Sequence, residues 1–268
     1  MTKLTETIKN RSNDVSSVYE AQTKAFSSFE FKYLTENLIE NNCQSILDVG
    51  TGEGNFINQL SYLIPEVQID AIDADGILIS KAVVNYKVHN IRFQNESFNL
   101  NFSTDRKYDA ILARFSVEHM NDLDEFAQAS IQALNSEGVI LITEWFIDHF
   151  NTENKIWTTF RNKELELYNA HNSHPRLATI LPNLLKRNGF QNITQDYRHI
   201  SNSTIDNKDF YNLVLEYAII YNKIDSKIFD RNFTDELIKY AQESMENGSE
   251  YEDVFIISHT KAINKIPI

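Results

Sequence analysis

The chain has 268 residues, a hydrophobic fraction of 42% and a formal net charge of −13 at pH 7. This length suits one large α/β domain, or a domain with a substantial insertion, and the apolar fraction is sufficient for a core. The acidic balance argues against nucleic acid as the main substrate, because backbone phosphates require Lys and Arg to neutralise them.

Two further absences limit the class of protein. No apolar run reaches the length of a membrane span, and residues 1–14 contain no apolar stretch typical of a secretory signal. The one cysteine, Cys43, cannot form an internal disulfide. We therefore expect a cytoplasmic protein without a membrane-spanning segment.

Apolar segments alternate with amphipathic ones along the chain, which predicts a seven-stranded, mostly parallel, doubly wound α/β sheet with helices on both faces. An N-terminal helix is predicted over residues 13–41. The seven strands are predicted, in chain order, at residues 45–49, 68–72, 91–94, 108–113, 139–144, 193–200 and 254–258. The connecting helices are predicted at residues 54–63, 77–86, 122–134 and 176–188.

Two stretches exceed what a seven-stranded sheet requires, namely residues 146–175 and 203–250. The second contains helical patterns at residues 210–221 and 234–245. The chain is thus divided into cap helices (1–42), a core (43–202), a helical insertion (203–250) and a last core strand (251–268). The cap and the insertion are expected to form a lid; a surface elaboration or a dimer contact is the alternative.

The first strand ends in a glycine-rich turn, whose residues from Asp48 read D-x-G-x-G-x-G with Gly50, Gly52 and Gly54. Glycine permits positive φ and close approach of a ligand to the backbone, and the following helix adds its amide dipoles. The dinucleotide fingerprint G-x-G-x-x-G has its third glycine where this chain has Asn55. A carboxylate at Asp48 would repel a pyrophosphate but suits the ammonium group of an amino-acid-bearing cofactor.

This turn resembles motif I of the class I, Rossmann-like S-adenosylmethionine (SAM)-dependent methyltransferases of the small-molecule type, and the resemblance extends over roughly residues 15–200. It implies that Asp73, 23 positions after Gly50, accepts both ribose hydroxyls of SAM beside Ala74. A local turn bond is the alternative for Asp73. Glu96 and Ser97 resemble the family's adenine-binding residues after the third strand.

The resemblance also implies contacts with the methionine end of SAM. Backbone at Ala113 and Arg114 is expected to pass this group, and Phe115 to pack near the sulfonium, which aromatic faces accommodate. In the N-terminal helix, Tyr19 and Gln22 stand where the family's cap helix reaches the methionine carboxylate or ammonium.

Methyl transfer from a sulfonium is an in-line displacement that depends mainly on alignment and exclusion of water, so no catalytic constellation is required. Acceptor-side candidates, each with a purely structural alternative, are His119, Glu144, Trp145, His149, His171 and His174. No metal is expected. The resemblance implies methyl transfer to an O, N or C atom of a small-molecule metabolite, without nucleic-acid or membrane partners; a homodimer stays open. Two alternatives remain, a SAM-binding protein that transfers no methyl group and an NAD-dependent oxidoreductase.

Overall fold

The computed structural model describes residues 15–104, 106–147 and 152–264. Its helices in chain order are α1 (Ser16–Glu40), α2 (Asn55–Leu63), α3 (Gly76–Asn85), α4 (Leu123–Ala133), α5 (Lys155–Ala170), α6 (Leu177–Arg187), α7 (Asn207–Ile224) and α8 (Arg231–Asn247). Its strands are β1 (Ser45–Val49), β2 (Gln68–Asp73), β3 (Ile91–Asn95), β4 (Tyr108–Arg114), β5 (Leu134–Trp145), β6 (Gln191–Ser201) and β7 (Val254–Ile263).

The seven strands form one sheet in the order β3-β2-β1-β4-β5-β7-β6. Strand β7 is antiparallel to both of its neighbours, and the pairs from β3 through β5 are parallel. The predicted fold class is therefore confirmed. The strand order reverses between β1 and β4, and open α/β sheets bind their ligands at such a reversal, beyond the carboxyl ends of the strands.

Side chains that alternate along the central strands supply a core on each face of the sheet. Ile46 and Leu112 belong to one buried cluster, whereas the adjacent Leu47 and Ile111 belong to the other. This alternation follows from the two-residue period of a strand. Both faces of the sheet are therefore buried, as expected for parallel strands covered by helices.

A third buried cluster is aromatic and joins helices α1, α5, α7 and α8 to β5 and β7. Phe255 of β7 contacts Trp157 of α5 and Phe210 of α7, with ring centroids 5.0 and 5.2 Å apart. Asp253 accepts hydrogen bonds from the hydroxyls of Tyr211 and Tyr240, and at 2.7 Å from the Asn154 amide. The two insertions thus pack together beside the sheet.

The structure differs from the sequence-based elements mainly at one helix and two strands. Strand β5 begins at Leu134, five residues before the predicted start. Helix α5 occupies residues for which no helix was predicted, because its apolar positions are interrupted by buried polar ones, Arg161 and Glu164. Strand β7 continues five residues past the predicted end, because residues 259–263 still pair with β5. Within the described residues, no helix is long and apolar enough to cross a membrane.

Candidate functional site

A cavity of about 410 Å³ opens at the carboxyl ends of β1, β2 and β4. Its floor is the loops that follow these strands, and α1 and α7 contribute its roof. Of the predicted site residues, those that line it are Asp48, Gly50, Gly52, Asp73, Ala74, Glu96, Ser97, Arg114, Phe115, Tyr19, Gln22, His119 and Trp145.

The glycine turn adopts the left-handed conformation at all three glycines, with φ of +77° at Gly50, +59° at Gly52 and +79° at Gly54. A Cβ on Gly50 would lie 2.4 Å from the Cβ of Ser116, so the loop after β4 packs directly on the turn. A Cβ on Gly54 would lie 2.8 Å from the Phe93 ring, behind the cavity. Gly52 is the glycine whose Cβ would meet only Tyr19, at 3.6 Å across the cavity.

Asp73 ends β2 at the cavity wall. Its Oδ2 accepts the backbone N–H of Gly52 at 2.9 Å, and its Oδ1 accepts that of Asp75 at 2.8 Å. The turn bond expected as an alternative for Asp73 is therefore present. These backbone contacts orient Asp73, which lines the cavity, and a carboxylate oxygen can accept more than one hydrogen bond.

Asp48 lies at the end of β1 with only 5% of its surface exposed. Burial raises the pKa of this carboxyl to about 6. A carboxylate in such a place is stabilised by a cation, and the ammonium group of an amino-acid cofactor would provide one.

The loop after β3 contributes Glu96 and Ser97, both of which are exposed at the rim of the cavity. The N–H of Glu96 donates to the carbonyl of Asp73 at 3.1 Å, which couples this loop to the end of β2. A flat ligand group between these loops would meet polar atoms along one edge and solvent beyond them.

Two residues of α1 face the cavity from above. Burial raises the pKa of Tyr19, and the nearby Asp73 adds to this effect, so its hydroxyl stays protonated as a donor. The Gln22 amide donates to the Tyr217 hydroxyl of α7. This hydrogen bond joins the two roof helices directly over the cavity.

Arg114 at the end of β4 is held by a bidentate ion pair, in which its Nε and Nη2 atoms donate to the buried Glu30 of α1 at 2.8–3.0 Å. Phe115 follows with φ of +48° and stacks on Trp145 with ring centroids 4.6 Å apart. Ala113 lies within the sheet core and does not line the cavity. The cavity wall beside β4 is therefore aromatic, and its positive charge, on Arg114, is already paired with Glu30.

His119 belongs to a short 3₁₀ turn, Val117–His119, and also faces the cavity. Burial lowers its pKa to about 4, and His174 adds to this, so the ring is neutral at pH 7. The neighbouring Glu118 carboxyl lies at the same wall with 2% of its surface exposed. Its Oε1 accepts from the Tyr168 hydroxyl at 3.2 Å.

Of the other acceptor-side candidates in the described residues, Trp145 lines the cavity, whereas Glu144, His171 and His174 do not. Glu144 is fully buried, and its Oε1 accepts the N–H groups of Ser116, Val117 and Glu118 at 3.2, 2.8 and 3.4 Å. It therefore holds the loop after β4. His171 contacts Asp225 at 3.3 Å, and His174 contacts the carbonyl of Met120 at 2.9 Å. His149 lies outside the described residues.

Sequence reasoning did not single out Glu118, Tyr168, Tyr217 or Tyr221 as site residues, yet all four line the cavity. Tyr168 comes from α5, and the other two tyrosines come from α7. Only Glu118 had a local signal, because it lies within the loop after β4. The tyrosines depend on helix packing that no short motif encodes.

Comparison with known proteins decides the family. Residues 19–195 match the family model described as a methyltransferase domain. The chain belongs to this methyltransferase family. The match covers most of the chain and includes β1 through β5 and the first five residues of β6.

Relatives and solved structures agree with this assignment. A malonyl-[acyl-carrier protein] O-methyltransferase of Bacillus anthracis is 27% identical over 121 residues, which is 45% of this chain and 44% of that protein. The chain thus matches less than half of the length of this curated relative. The plantazolicin methyltransferase BpumL in complex with S-adenosylhomocysteine (SAH) has a similar fold, with a TM-score of 0.55, 18% identity and coverage of 97% and 89%. The [4+2]-cyclase SpnF is also similar, with a TM-score of 0.53, 18% identity and coverage of 83% and 75%.

These findings confirm the predicted family and SAM as the cofactor. They also support the predicted enzyme class, a SAM-dependent methyltransferase. The NAD-dependent alternative is not favoured. The likeness to SpnF shows that the fold alone does not define a reaction.

Proposed function

We propose that the protein transfers the methyl group of SAM to a small-molecule acceptor inside the cavity. The observation that carries this is the arrangement of Asp48, Gly52 and Asp73 at one wall. Two carboxylates flank a glycine turn of positive φ, and the Gly52 N–H orients Asp73 at 2.9 Å. This donor and acceptor set suits an ammonium group at Asp48 and a pair of ribose hydroxyls at Asp73.

The remaining cofactor contacts follow from the same placement. Ala74, Glu96 and Ser97 would border the adenine, and Tyr19, Gln22 and the Arg114 backbone would border the methionine end. When bound, SAM supplies a methyl group on a cationic sulfur that leaves as a neutral thioether. Phe115 and Trp145 offer stacked ring faces beside this position, which stabilise a cation.

The chain's own contribution is mostly to position the reactants and exclude water. Helices α1 and α7 would act as a lid over residues 43–202, joined by the contact of Gln22 with Tyr217. We extend the proposal to the lid segments predicted from sequence, 1–42 and 203–250. Residues 1–14 of this cap lie outside the described part of the chain.

The acceptor class follows from the net charge and the enclosed cavity. The charge of −13 provides little attraction for a phosphate backbone, so we propose a metabolite rather than nucleic acid or a membrane lipid. Cytoplasmic location and a homodimer remain proposals of the same kind. The alignment with the curated relative covers only 45% of this chain, so the substrate of that relative does not identify the acceptor here.

Incubation of the protein with methyl-labelled SAM and fractionated metabolite extracts tests the function. The proposal expects SAH to accumulate in step with label in a small-molecule fraction, and expects Asp73→Ala to reduce both at low SAM concentration. Label in RNA, with a steep loss as salt rises, would contradict the acceptor class. SAM binding without SAH formation in any fraction would favour the non-transferring alternative.

A further inference from the structure

The inner end of the cavity is built differently from its glycine-turn end. Its polar groups are the Glu118 carboxyl and the neutral ring of His119, and four aromatic side chains surround them. These are Trp145 of β5, Tyr168 of α5, and Tyr217 and Tyr221 of α7. Of these residues, only Trp145 takes part in the cofactor contacts proposed above.

The charge of the whole cavity wall excludes one class of ligand. Eight acidic side chains line the cavity, namely Asp48, Glu53, Asp73, Asp75, Glu96, Glu118, Asp122 and Glu125. The one lining Lys or Arg side chain among the described residues is Arg114, which is paired with Glu30. An anionic acceptor would enter against this field, whereas a cationic one would be attracted by it.

Glu118 is the acidic side chain at the inner end of the cavity. Its two contacts, the Tyr168 hydroxyl at 3.2 Å and His119 Nε2 at 3.5 Å, both involve Oε1. Burial raises the pKa of Glu118, and the neighbouring carboxylates of Glu144 and Glu164 raise it further. Arg161 opposes this rise, but it is itself bound to Glu164 at 2.5 Å.

We infer that the inner end of the cavity binds an amine-bearing acceptor, with Glu118 accepting a hydrogen bond from the amine nitrogen and Trp145, Tyr168, Tyr217 and Tyr221 enclosing it. This inference rests on the proposed function and names the acceptor class for the same site. Aromatic faces and a carboxylate together recognise an ammonium group. The neutral His119 beside Glu118 adds no positive charge that would repel the ligand.

The same contact gives Glu118 a catalytic role. An amine enters as an ammonium ion, which has no free electron pair for attack. Transfer of one proton to Glu118 breaks an N–H bond and forms an O–H bond, and the electron pair stays on nitrogen. A carboxylate whose pKa is raised is a stronger base for this step than an exposed one. Tyr168 is a positioning residue, because its hydroxyl donates to Oε1 and leaves Oε2 for the amine.

Three probes of similar size separate the acceptor classes: 2-phenylethylamine, 2-phenylethanol and phenylacetate. Each is titrated calorimetrically into the SAH-loaded wild-type protein. The inference expects the amine to bind on the order of tenfold or more tighter than the alcohol, because the alcohol can donate a hydrogen bond to Glu118 but has no positive charge to strengthen it. Phenylacetate should bind most weakly. An amine that binds no better than the other two overturns the inference, without the need for any variant.

Glu118→Gln then assigns the preference to this side chain. We expect the preference for the amine to disappear while the SAH affinity is unchanged, which also serves as the control for folding. Glu166→Gln removes the same charge from an exposed position of α5 and should keep the preference. A preference that survives Glu118→Gln in protein that still binds SAH would contradict the role of Glu118.

The two proposals fail in different ways. Methyl transfer found only on hydroxyl or carboxylate acceptors would leave the proposed function intact and refute the amine site. Selective binding of the amine, without SAH formation from any metabolite fraction, would support the amine site and refute methyl transfer.

Discussion

The two ends of the cavity are constructed on different principles. At the cofactor end, backbone features dominate, namely three left-handed glycines and the Gly52 N–H that orients Asp73. At the acceptor end, the contacts come from side chains of the loop after β4 and of β5, α5 and α7, from residue 118 to residue 221. A site made of backbone groups requires a fixed local sequence, whereas a site made of side chains can vary in sequence while the fold stays the same. The cofactor end therefore identifies the family, and the acceptor end determines which acceptor binds.

The largest effect is expected from Gly52→Val at the cofactor end. The φ of +59° is strained for a β-branched residue, and the side chain would extend toward Tyr19 across the cavity. We expect SAM binding to be abolished in calorimetry, with far-UV circular dichroism close to that of the wild type.

Gly248→Val is the matched control. Gly248 also has a positive φ, +79°, but no atom lies within 4 Å of its Cβ position. This variant should lose some stability and keep its SAM affinity. If both variants bind SAM tightly, the turn is not the cofactor site.

The next effect tests the side chain that the turn orients. Asp73→Ala removes both proposed ribose acceptors and should weaken SAM binding by about 1.5–3 kcal/mol, the range for hydrogen bonds to a charged group. Calorimetric dissociation constants measure this directly. Asp124→Ala, which removes a half-buried carboxylate paired with Arg187 outside the cavity, should leave the affinity unchanged. An unchanged affinity in Asp73→Ala would refute the assignment.

Substitution of Asp48 tests whether its buried negative charge destabilises the protein before SAM binds. Its pKa of about 6 in the folded protein lies above the ordinary value of 3.8, so folding favours the protonated form. The contribution of protonated Asp48 to the stability of the fold is complete below about pH 4 and is lost as the pH rises through about 6. At pH 7.5, Asp48→Asn should therefore be more stable than the wild type by about 3 kcal/mol, and it should bind SAM more weakly.

Urea unfolding of both proteins without ligand checks this prediction. The difference in the free energy of unfolding should shrink toward zero at pH 4. A variant that is equally or less stable at pH 7.5 would show that Asp48 is not strained by burial.

The smallest effect is expected at the roof. Tyr217→Phe removes the hydroxyl that accepts from Gln22 and should cost about 1 kcal/mol of SAM affinity if α1 and α7 close together. Hydrogen exchange with and without SAH is the more direct readout. Residues 15–30 and 207–224 should gain protection that Tyr217→Phe reduces. Protection limited to residues 46–56, 73–76 and 95–98 would refute the lid.

The fold and the cofactor end were predictable because their signals are local. The period of apolar residues gave the seven strands, and the D-x-G-x-G-x-G turn with Asp73 gave the family. Glu144 shows the limit of such reasoning, since its place after the apolar run of β5 suggested an acceptor contact. The structure instead buries it against the N–H groups of the loop after β4.

The acceptor end could not be predicted, because it depends on contacts between distant segments. Tyr168 reaches Glu118 across 50 positions of the chain, and Tyr221 donates to Glu164 across 57. Helix α5 carries Arg161 and Glu164 as buried residues, so its sequence lacks the apolar stripe of an ordinary amphipathic helix. Only the folded structure shows that Tyr168 contacts Glu118 and that Tyr221 contacts Glu164.

Calorimetric titration of the wild-type protein with SAM, and separately with NADH, tests the central claim that the glycine turn is a SAM site. We predict one SAM bound per chain, no binding of NADH, and loss of the SAM signal in Gly52→Val. Binding of NADH in place of SAM, or SAM binding that is unaffected by both Gly52→Val and Asp73→Ala, would contradict it.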